Sequence, residues 1–247
     1  MNEYFKNRRS VRKFTGDRID VEKIKSMLEA AFHAPTTGNM QLYSVVITRE
    51  PDKIAALAPA HFNQPASTGC DAMLTFCADF NRFERWCEMN DAVPGYGNLQ
   101  GFMMGVLDAT IVAQQFVTIA EMNGFGTCYL GTTIYNAPMI AETLNLPEKV
   151  VPVVTIAVGV PAEVPEDSGR LPLSALVFDE QYSVASNEDV AQAYAEKEAR
   201  EDSVRFVAEN GKKNLAQVFT DVRYTKADCE RFSQIYADFI NKAGFEI

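Results

Sequence analysis

The segment from Asn98 to Met122 constrains the fold more than any other part of the chain. It is apolar around most of a helical circumference. A helix of that kind belongs either in the interior of a large body or in a bilayer. A bilayer span wants about 20 predominantly apolar residues. Here Gln100, Asp108, Gln114, Gln115 and Glu121 interrupt the run, and its uncharged piece Ala109–Ala120 is short. The expectation is a buried central helix around which the rest of the chain is wrapped. Gly101 and Gly105 lie one turn apart in it, which suits a tight crossing or a helix start. Met103 and Met104 read most simply as core packing.

The chain can supply such a wrapping. Its 247 residues are 47% hydrophobic and 23% charged, which are globular proportions. The formal net charge of −10 repels phosphate backbones and argues against nucleic acid as a partner. No apolar leader follows Met1, and no membrane association is expected. Five Cys without a CxxC pair read as reduced, mostly core-filling thiols of a cytoplasmic protein. Two His are too few for most zinc or His-based designs, and no metal is expected. His33 and His61 read as surface or satisfied groups.

Periodicity and punctuation predict the elements. Asp20 is a natural N-cap for a helix over residues 21–34, and Pro35 is its stop. A turn at Pro35–Asn39 precedes a β-branched strand at Tyr43–Thr48 and a short helix at Pro51–Leu57. Residues 59–69 read as a loop. Met73–Ala78, Phe125–Gly131 and Val150–Val160 are further strands, with a helix at Pro138–Leu144 between the last two. A Pro-rich stretch from Pro161 to Pro172 contains Arg170. A charged helix at about 187–208 and an amphipathic one near 226–243 follow, the latter burying Phe232, Ile235, Tyr236, Phe239 and Ile240. The result is one α+β domain with C-terminal helical appendages.

Several chemistries are missing. There is no GxSxG, no Walker lysine loop and no HExxH. Gly124-Phe-Gly126 resembles half a dinucleotide fingerprint but follows a helix and precedes a strand, the reverse of the order that mechanism needs. The strongest local feature is Asn7-Arg-Arg-Ser-Val-Arg-Lys-Phe14, four cations and a hydroxyl within six positions of an acidic chain. If extended, it turns Arg8, Ser10 and Arg12 to one side. That convergence suits a phosphate dianion, and it equally suits a solvated basic patch.

The order of further motifs resembles a known family. After Arg8-Arg-Ser-Val-Arg12 come Ala34-Pro-Thr-Thr-Gly-Asn39, then Gln64 ahead of the Met73 strand, then Phe76-Cys-Ala-Asp-Phe-Asn-Arg82 and Gly126-Thr-Cys-Tyr-Leu-Gly131. Gly159-Val-Pro-Ala162 and Arg170-Leu-Pro172 continue the series. Together they resemble the nitroreductase family of FMN-dependent oxidoreductases, in particular its larger, NADPH-dependent, oxygen-insensitive branch. The resemblance implies a nitroreductase-like α+β fold with a central, mostly antiparallel sheet flanked by helices. It implies an FMN-binding core over residues 1–185 and a helical extension over 186–247, exchanged between the subunits of a homodimer.

The resemblance also assigns roles. Arg8, Arg9, Ser10 and Arg12 would grip the FMN phosphate and ribityl chain. Pro35, Thr36, Thr37 and Asn39 would lie at the flavin ring of the partner subunit, Thr standing where relatives carry Ser. Gln64 would reach the ribityl or pyrimidine side, and Tyr129, Leu130, Gly131 and Thr132 would line the flavin. Arg170 would close on the phosphate, with Ser168 where relatives often carry Lys. Arg205, Lys212 and Lys213 form a basic segment in the region where NADPH-using relatives hold the nicotinamide nucleotide's phosphate. No catalytic side chain is expected, because the flavin carries the redox chemistry. The implied activity is hydride transfer from NAD(P)H, through flavin N5, to nitroaromatics, quinones or free flavin by ping-pong turnover. The alternatives are a flavin-binding protein without turnover and a flavin-cannibalising or dehalogenating chemistry on the same scaffold.

Overall fold

The computed structural model describes residues 2–247. The chain forms two compact units, one of residues up to Pro165 together with Phe232–Ile247, the other of Glu166–Arg231.

The first unit opens with α1 (Asn2–Asn7) and a basic segment without regular secondary structure. Next comes α2 (Val21–Ala31), capped by the Asp20 carboxylate, which accepts from Glu22 N. β1 (Tyr43–Thr48), α3 (Pro51–Leu57), α4 (Pro65–Gly69) and β2 (Ala72–Asp79) follow, then α5 (Asn81–Glu88). The long helix α6 (Leu99–Met122) starts at Asn98, whose side chain accepts from Gly101 N. β3 (Gly126–Leu130), α7 (Ala137–Leu144) and β4 (Val150–Gly159) complete the sheet.

The four strands lie in the order β1-β2-β4-β3, each neighbouring pair antiparallel. β2 is buried along its whole length and β4 along nearly all of it, so both sheet faces are covered. On one face Leu74, Phe76, Ile156 and Val158 meet α2 and the Ala109–Ala120 stretch of α6. On the other Met73, Cys128, Leu130 and Ala157 meet Ile54, Leu57 and Ile140. Successive residues of β2 and β4 divide between these layers, as the two-residue period of a strand requires. Near the chain's end, Ile240, Ala243 and Phe245 join Leu42, Phe80 and Phe102 in a third cluster.

Each sheet edge carries a cover. Beside β1, Arg82 Nη2 donates to the carbonyls of Gln41 at 2.7 Å and Tyr43 at 3.1 Å. Beside β3, Val11 N donates to Thr127 O at 2.9 Å. The same segment continues past the end of β4, where Phe14 bridges Pro161 and Thr15 N donates to Val160 O.

The second unit holds α8 (Asn187–Ala199), α9 (Glu201–Glu209) and α10 (Leu215–Val218), which runs on into a π-turn at Phe219–Arg223. α11 (Lys226–Lys242) begins in it.

The α+β fold with its antiparallel sheet matches the sequence expectation, and four details correct it. First, α6 is buried on one face only. Leu99, Met103, Leu107 and Ile111, spaced one turn apart, are 40–54% exposed, so Met103 is surface rather than core. By length and composition this helix is apolar enough to cross a membrane, yet its other face packs on the sheet. Second, residues 59–69 are largely helical, because Pro59 and Pro65 each open a short helix where a missing N–H costs nothing. Third, the charged helix breaks at Arg200, whose extended backbone is held by its side-chain bonds to Asp202 and the Asp167 carbonyl. Fourth, α11 fully buries only Ile240, with Phe232, Ile235, Tyr236 and Phe239 half-buried.

The two glycines of α6 realise both readings of their spacing. A Cβ on Gly101 would come within 2.0 Å of Tyr96 O, at the helix start; one on Gly105 would meet Ala78 Cβ at 2.9 Å and Phe80 at 3.0 Å, at a tight crossing. Overpacking a formed core costs about 1–3 kcal/mol. Gly105→Ala is therefore expected to lower the urea midpoint by that equivalent, and Gly101→Ala, which meets backbone, to lower it further.

Candidate functional site

The basic segment is bound to the sheet through β3. The Val11–Thr127 bond aligns residues 8–12 along the strand's outer edge, and Val11 fills the space above Gly126, where a Cβ would stand 2.8 Å away. Arg8 and Arg12 both act on the thiol of Cys128, opposing the burial that pushes it up. Arg12 is exposed, while Arg8 is half-buried. Arg9 turns back on the backbone, donating from Nη1 to Lys6 O and Arg8 O at 3.1 Å each.

Arg8 is fixed by Glu121 in the last turn of α6, its Nη2 lying 3.3 Å from Oε1. The same carboxylate accepts from Tyr4 Oη at 2.9 Å and from Thr127 Oγ1. It so ties α1, the basic segment, α6 and β3 together. Burial raises the Tyr129 phenol to about 12, with Glu121 adding to the shift and Arg8 opposing it; its Oη donates to Gln114 at 3.2 Å. Arg8 Nε is buried and lacks a hydrogen-bond acceptor, while Nη2, also buried, has the 3.3 Å ion pair with Glu121. A buried guanidinium donor without an acceptor, on a segment that also carries the exposed Arg12, fits an anion with several acceptor oxygens.

A second group of expected residues gathers around His61. His61 is fully buried, with Nδ1 2.9 Å from Thr132 Oγ1 and Nε2 without a partner. Asn136 Nδ2 donates to Ala60 O at 2.8 Å. These bonds hold the 58–64 segment, which ends at the exposed Gln64, against the Gly131–Ile134 turn that follows β3. Phe62 and Asn63 both have positive φ, at 54° and 50°, a sparsely populated region for side-chain-bearing residues. A Cβ on Gly131 would meet nothing within 4 Å, so the turn faces open space. A flat ring fits against such a surface.

The Pro35–Asn39 turn sits elsewhere on α6. The buried Asp108 accepts from Thr37 N at 2.8 Å, Thr37 Oγ1 at 3.0 Å and Leu42 N at 3.1 Å. Gly38, Asn39 and Gln41 all take positive φ, and Thr36 is extended. Thirteen residues of helix separate Asp108 from Glu121, roughly 20 Å at 1.5 Å per residue. Within one chain the turn is thus displaced along α6 from the basic segment.

The remaining expected residues lie in the second unit. Arg170 Nη1 donates to Ser168 Oγ at 3.2 Å and to Gly169 O. It lines a cleft of about 450 Å³ with Lys197, Arg200, Arg223, Phe206 and Phe219, four cations against Glu196 and Asp202. Arg205 pairs with Glu209 and Lys212 with Asp221; Lys213 is exposed. Sequence reasoning missed Asp108, Glu121 and His61 as anchors. The signal for the first two was present: lone carboxylates inside an apolar helix need partners.

With this geometry in place, comparison with known proteins gives the class. The chain belongs to the nitroreductase family, whose model matches residues 5–160. It is similar in structure to a candidate oxidoreductase from Bacteroides fragilis, at 46% identity and a TM-score of 0.97 over 99% of this chain and 100% of that one. In sequence it is 30% identical over 194 residues to a Cr(VI) reductase from Pseudomonas sp. strain G-1, covering 78% of this chain and 80% of that protein. It is also 30% identical over 184 residues to an NADPH-dependent FMN reductase from Bacillus subtilis, covering 74% of each.

Two outcomes follow from the anchors. Asp108→Ala leaves two backbone N–H groups and a hydroxyl unpaired, so a loss of about 2–4 kcal/mol is expected by urea denaturation. Burial lowers the His61 pKa from 6.5 to about 4. Between those values the unfolded chain takes up a proton that the folded one refuses, so stability rises with pH across the window. Lowering the pH from 6.5 to 4 should remove on the order of 3 kcal/mol, and His61→Leu should abolish that part of the slope.

Proposed function

We propose that this chain is an FMN-dependent oxidoreductase that takes hydride from NAD(P)H, with NADPH favoured, and passes it to small acceptors such as nitroaromatics, quinones or free flavin. The observation that carries the reading is the Arg8 guanidinium, fixed by Glu121 through Nη2 and left with a buried Nε that has no acceptor, in a chain of this family. The names of its relatives, a Cr(VI) reductase and an NADPH-dependent FMN reductase, agree with that chemistry.

A bound flavin supplies two-electron exchange at its N5, and the protein supplies binding, orientation and electrostatics. Arg8, Arg9, Ser10 and Arg12 hold the phosphate and ribityl chain, and Glu121 keeps Arg8 in place. Gln64, Tyr129, Leu130, Gly131 and Thr132 line the ring, the open side of Gly131 admitting it closely. Nicotinamide and acceptor use the same open face in turn, which gives ping-pong kinetics. No side chain has to carry a proton for the hydride step, so none is assigned as catalytic. The cationic excess of the second-unit cleft, with the basic segment of Arg205, Lys212 and Lys213, favours NADPH through its additional phosphate.

The working unit in this reading is a cytoplasmic homodimer. The exposed Leu99, Met103, Leu107 and Ile111 stripe offers a self-complementary apolar face. The 20 Å displacement of the Pro35–Asn39 turn suits delivery of Pro35, Thr36, Thr37 and Asn39 to the partner's flavin. Of the helical extension over 186–247, the helices before Phe232 reach that partner, while Ile240, Ala243 and Phe245 pack in the chain's own core.

Purified protein should be yellow and should bleach on anaerobic addition of NADPH. Protein that stays oxidised with both nicotinamides defeats the enzyme reading and leaves a flavin binder. Arg12→Ala should weaken FMN binding by about 1.5–3 kcal/mol, roughly 10- to 150-fold, in a fluorescence titration. Leu107→Glu combined with Ile111→Glu should yield a monomer by light scattering and release flavin on dilution.

A further inference from the structure

His61 is a residue to which the proposed mechanism gives no part, although it joins two of the segments that mechanism uses. Its ring is fully buried, and burial alone lowers its pKa, so it is neutral at neutral pH. Nδ1 reaches Thr132 Oγ1 at 2.9 Å. Its own carbonyl accepts from Gln64 N at 3.2 Å. One residue therefore spans the Gln64 segment and the Gly131–Thr132 turn.

The geometry points to His61 as a positioning residue that fixes Thr132 and Gln64 relative to each other at the flavin ring, an inference that rests on the FMN reading above. Three observations carry it. The first is the tautomer. With its proton on Nδ1, the ring donates to Thr132 Oγ1, and the threonine's own proton stays free to point away from His61. With its proton on Nε2, the ring would hold a buried donor with no acceptor, and buried orphan N–H groups are the rarer kind. The second is the unpartnered Nε2 itself. A histidine serving packing alone would be replaced at lower cost by an apolar side chain of similar size. The third is the backbone beside it. Phe62 and Asn63 both take left-handed conformations, φ 54° and 50°, between His61 and Gln64. Strain of that kind persists only where surrounding bonds determine it, and here these include the His61–Thr132 and Asn136–Ala60 bonds.

His61→Leu and His61→Asn separate positioning from packing. Leucine keeps volume, removes the bond to Thr132 and removes the orphaned nitrogen. Asparagine places an amide near the position of Nδ1 and can restore the bond. For the apo protein at pH 7.5, the His61→Leu urea midpoint should equal or exceed that of wild type. The same variant should bind FMN about five- to tenfold more weakly, the equivalent of about one hydrogen bond. Its visible flavin absorption and circular dichroism should shift, and kcat should fall with KM for NADPH little changed. His61→Asn should restore the spectrum and most of the affinity. If His61→Leu holds FMN with wild-type affinity and an unchanged spectrum, the positioning role is refuted. If the wild-type protein itself binds no FMN, the flavin reading fails first, and the two failures are distinguishable. Should His61→Leu not fold, Thr132→Val tests the same bond from its other end, and an unchanged flavin spectrum there would equally overturn the inference.

Discussion

A single carboxylate governs how the first unit is assembled. Asp108 sits 1% exposed inside an apolar helix, where an ionised group is tolerated only if its oxygens are used. Its three donors come from Thr37 and Leu42, more than sixty residues earlier in the chain. This requirement brings the Pro35–Asn39 turn onto α6 and sets where β1 begins, at Tyr43. The sheet register then follows from Tyr43 pairing with Ala78. The left-handed backbone at Gly38, Asn39 and Gln41 is tolerated because those two N–H groups have a charged acceptor at a fixed place.

Glu121 plays the corresponding part at the other end of α6. It gathers Tyr4, Arg8 and Thr127, and so gives a cation near the chain's start a fixed direction. An arginine in water samples many rotamers, and ordering one costs up to about 2 kcal/mol. Here that cost is met on folding, before any anion arrives. Preorganisation of this kind improves affinity by lowering what binding must spend on order.

The strands and the first long helix were legible in sequence because their signals are local. Runs rich in β-branched residues marked β1 and β4, an uncharged apolar run marked β2, and Asp20 with its following apolar period marked α2. The orientation of α6 was not legible. A helix apolar on most of its circumference does not say which stripe a sheet will cover, and Leu99, Met103, Leu107 and Ile111 fell on the uncovered side. The break at Arg200 has neither proline nor glycine to announce it, and depends on a bond to Asp167 that only the fold creates. For the candidate site, the cationic segment and the Thr-Thr-Gly-Asn turn were readable from composition and order. Asp108 and Glu121 announced only that they needed partners, and His61 not even that, because most of their partners lie far away in sequence. The resemblance points to residues expected at a ligand, whereas these three hold neighbouring segments of the chain together.

The basic segment also has a mechanical role that is independent of ligand. Beside β3 it occupies the outer edge of the sheet, just as Arg82 occupies the outer edge of β1. An uncovered strand presents unpaired N–H and C=O groups that recruit other chains. Residues 8–15 therefore guard this edge against pairing with a strand of another chain while also presenting cations to solvent. The two duties restrict each other's evolution. A deletion here exposes a sticky edge as well as dispersing charge, so the arginine side chains are free to change only while the backbone beneath them keeps its course along the strand.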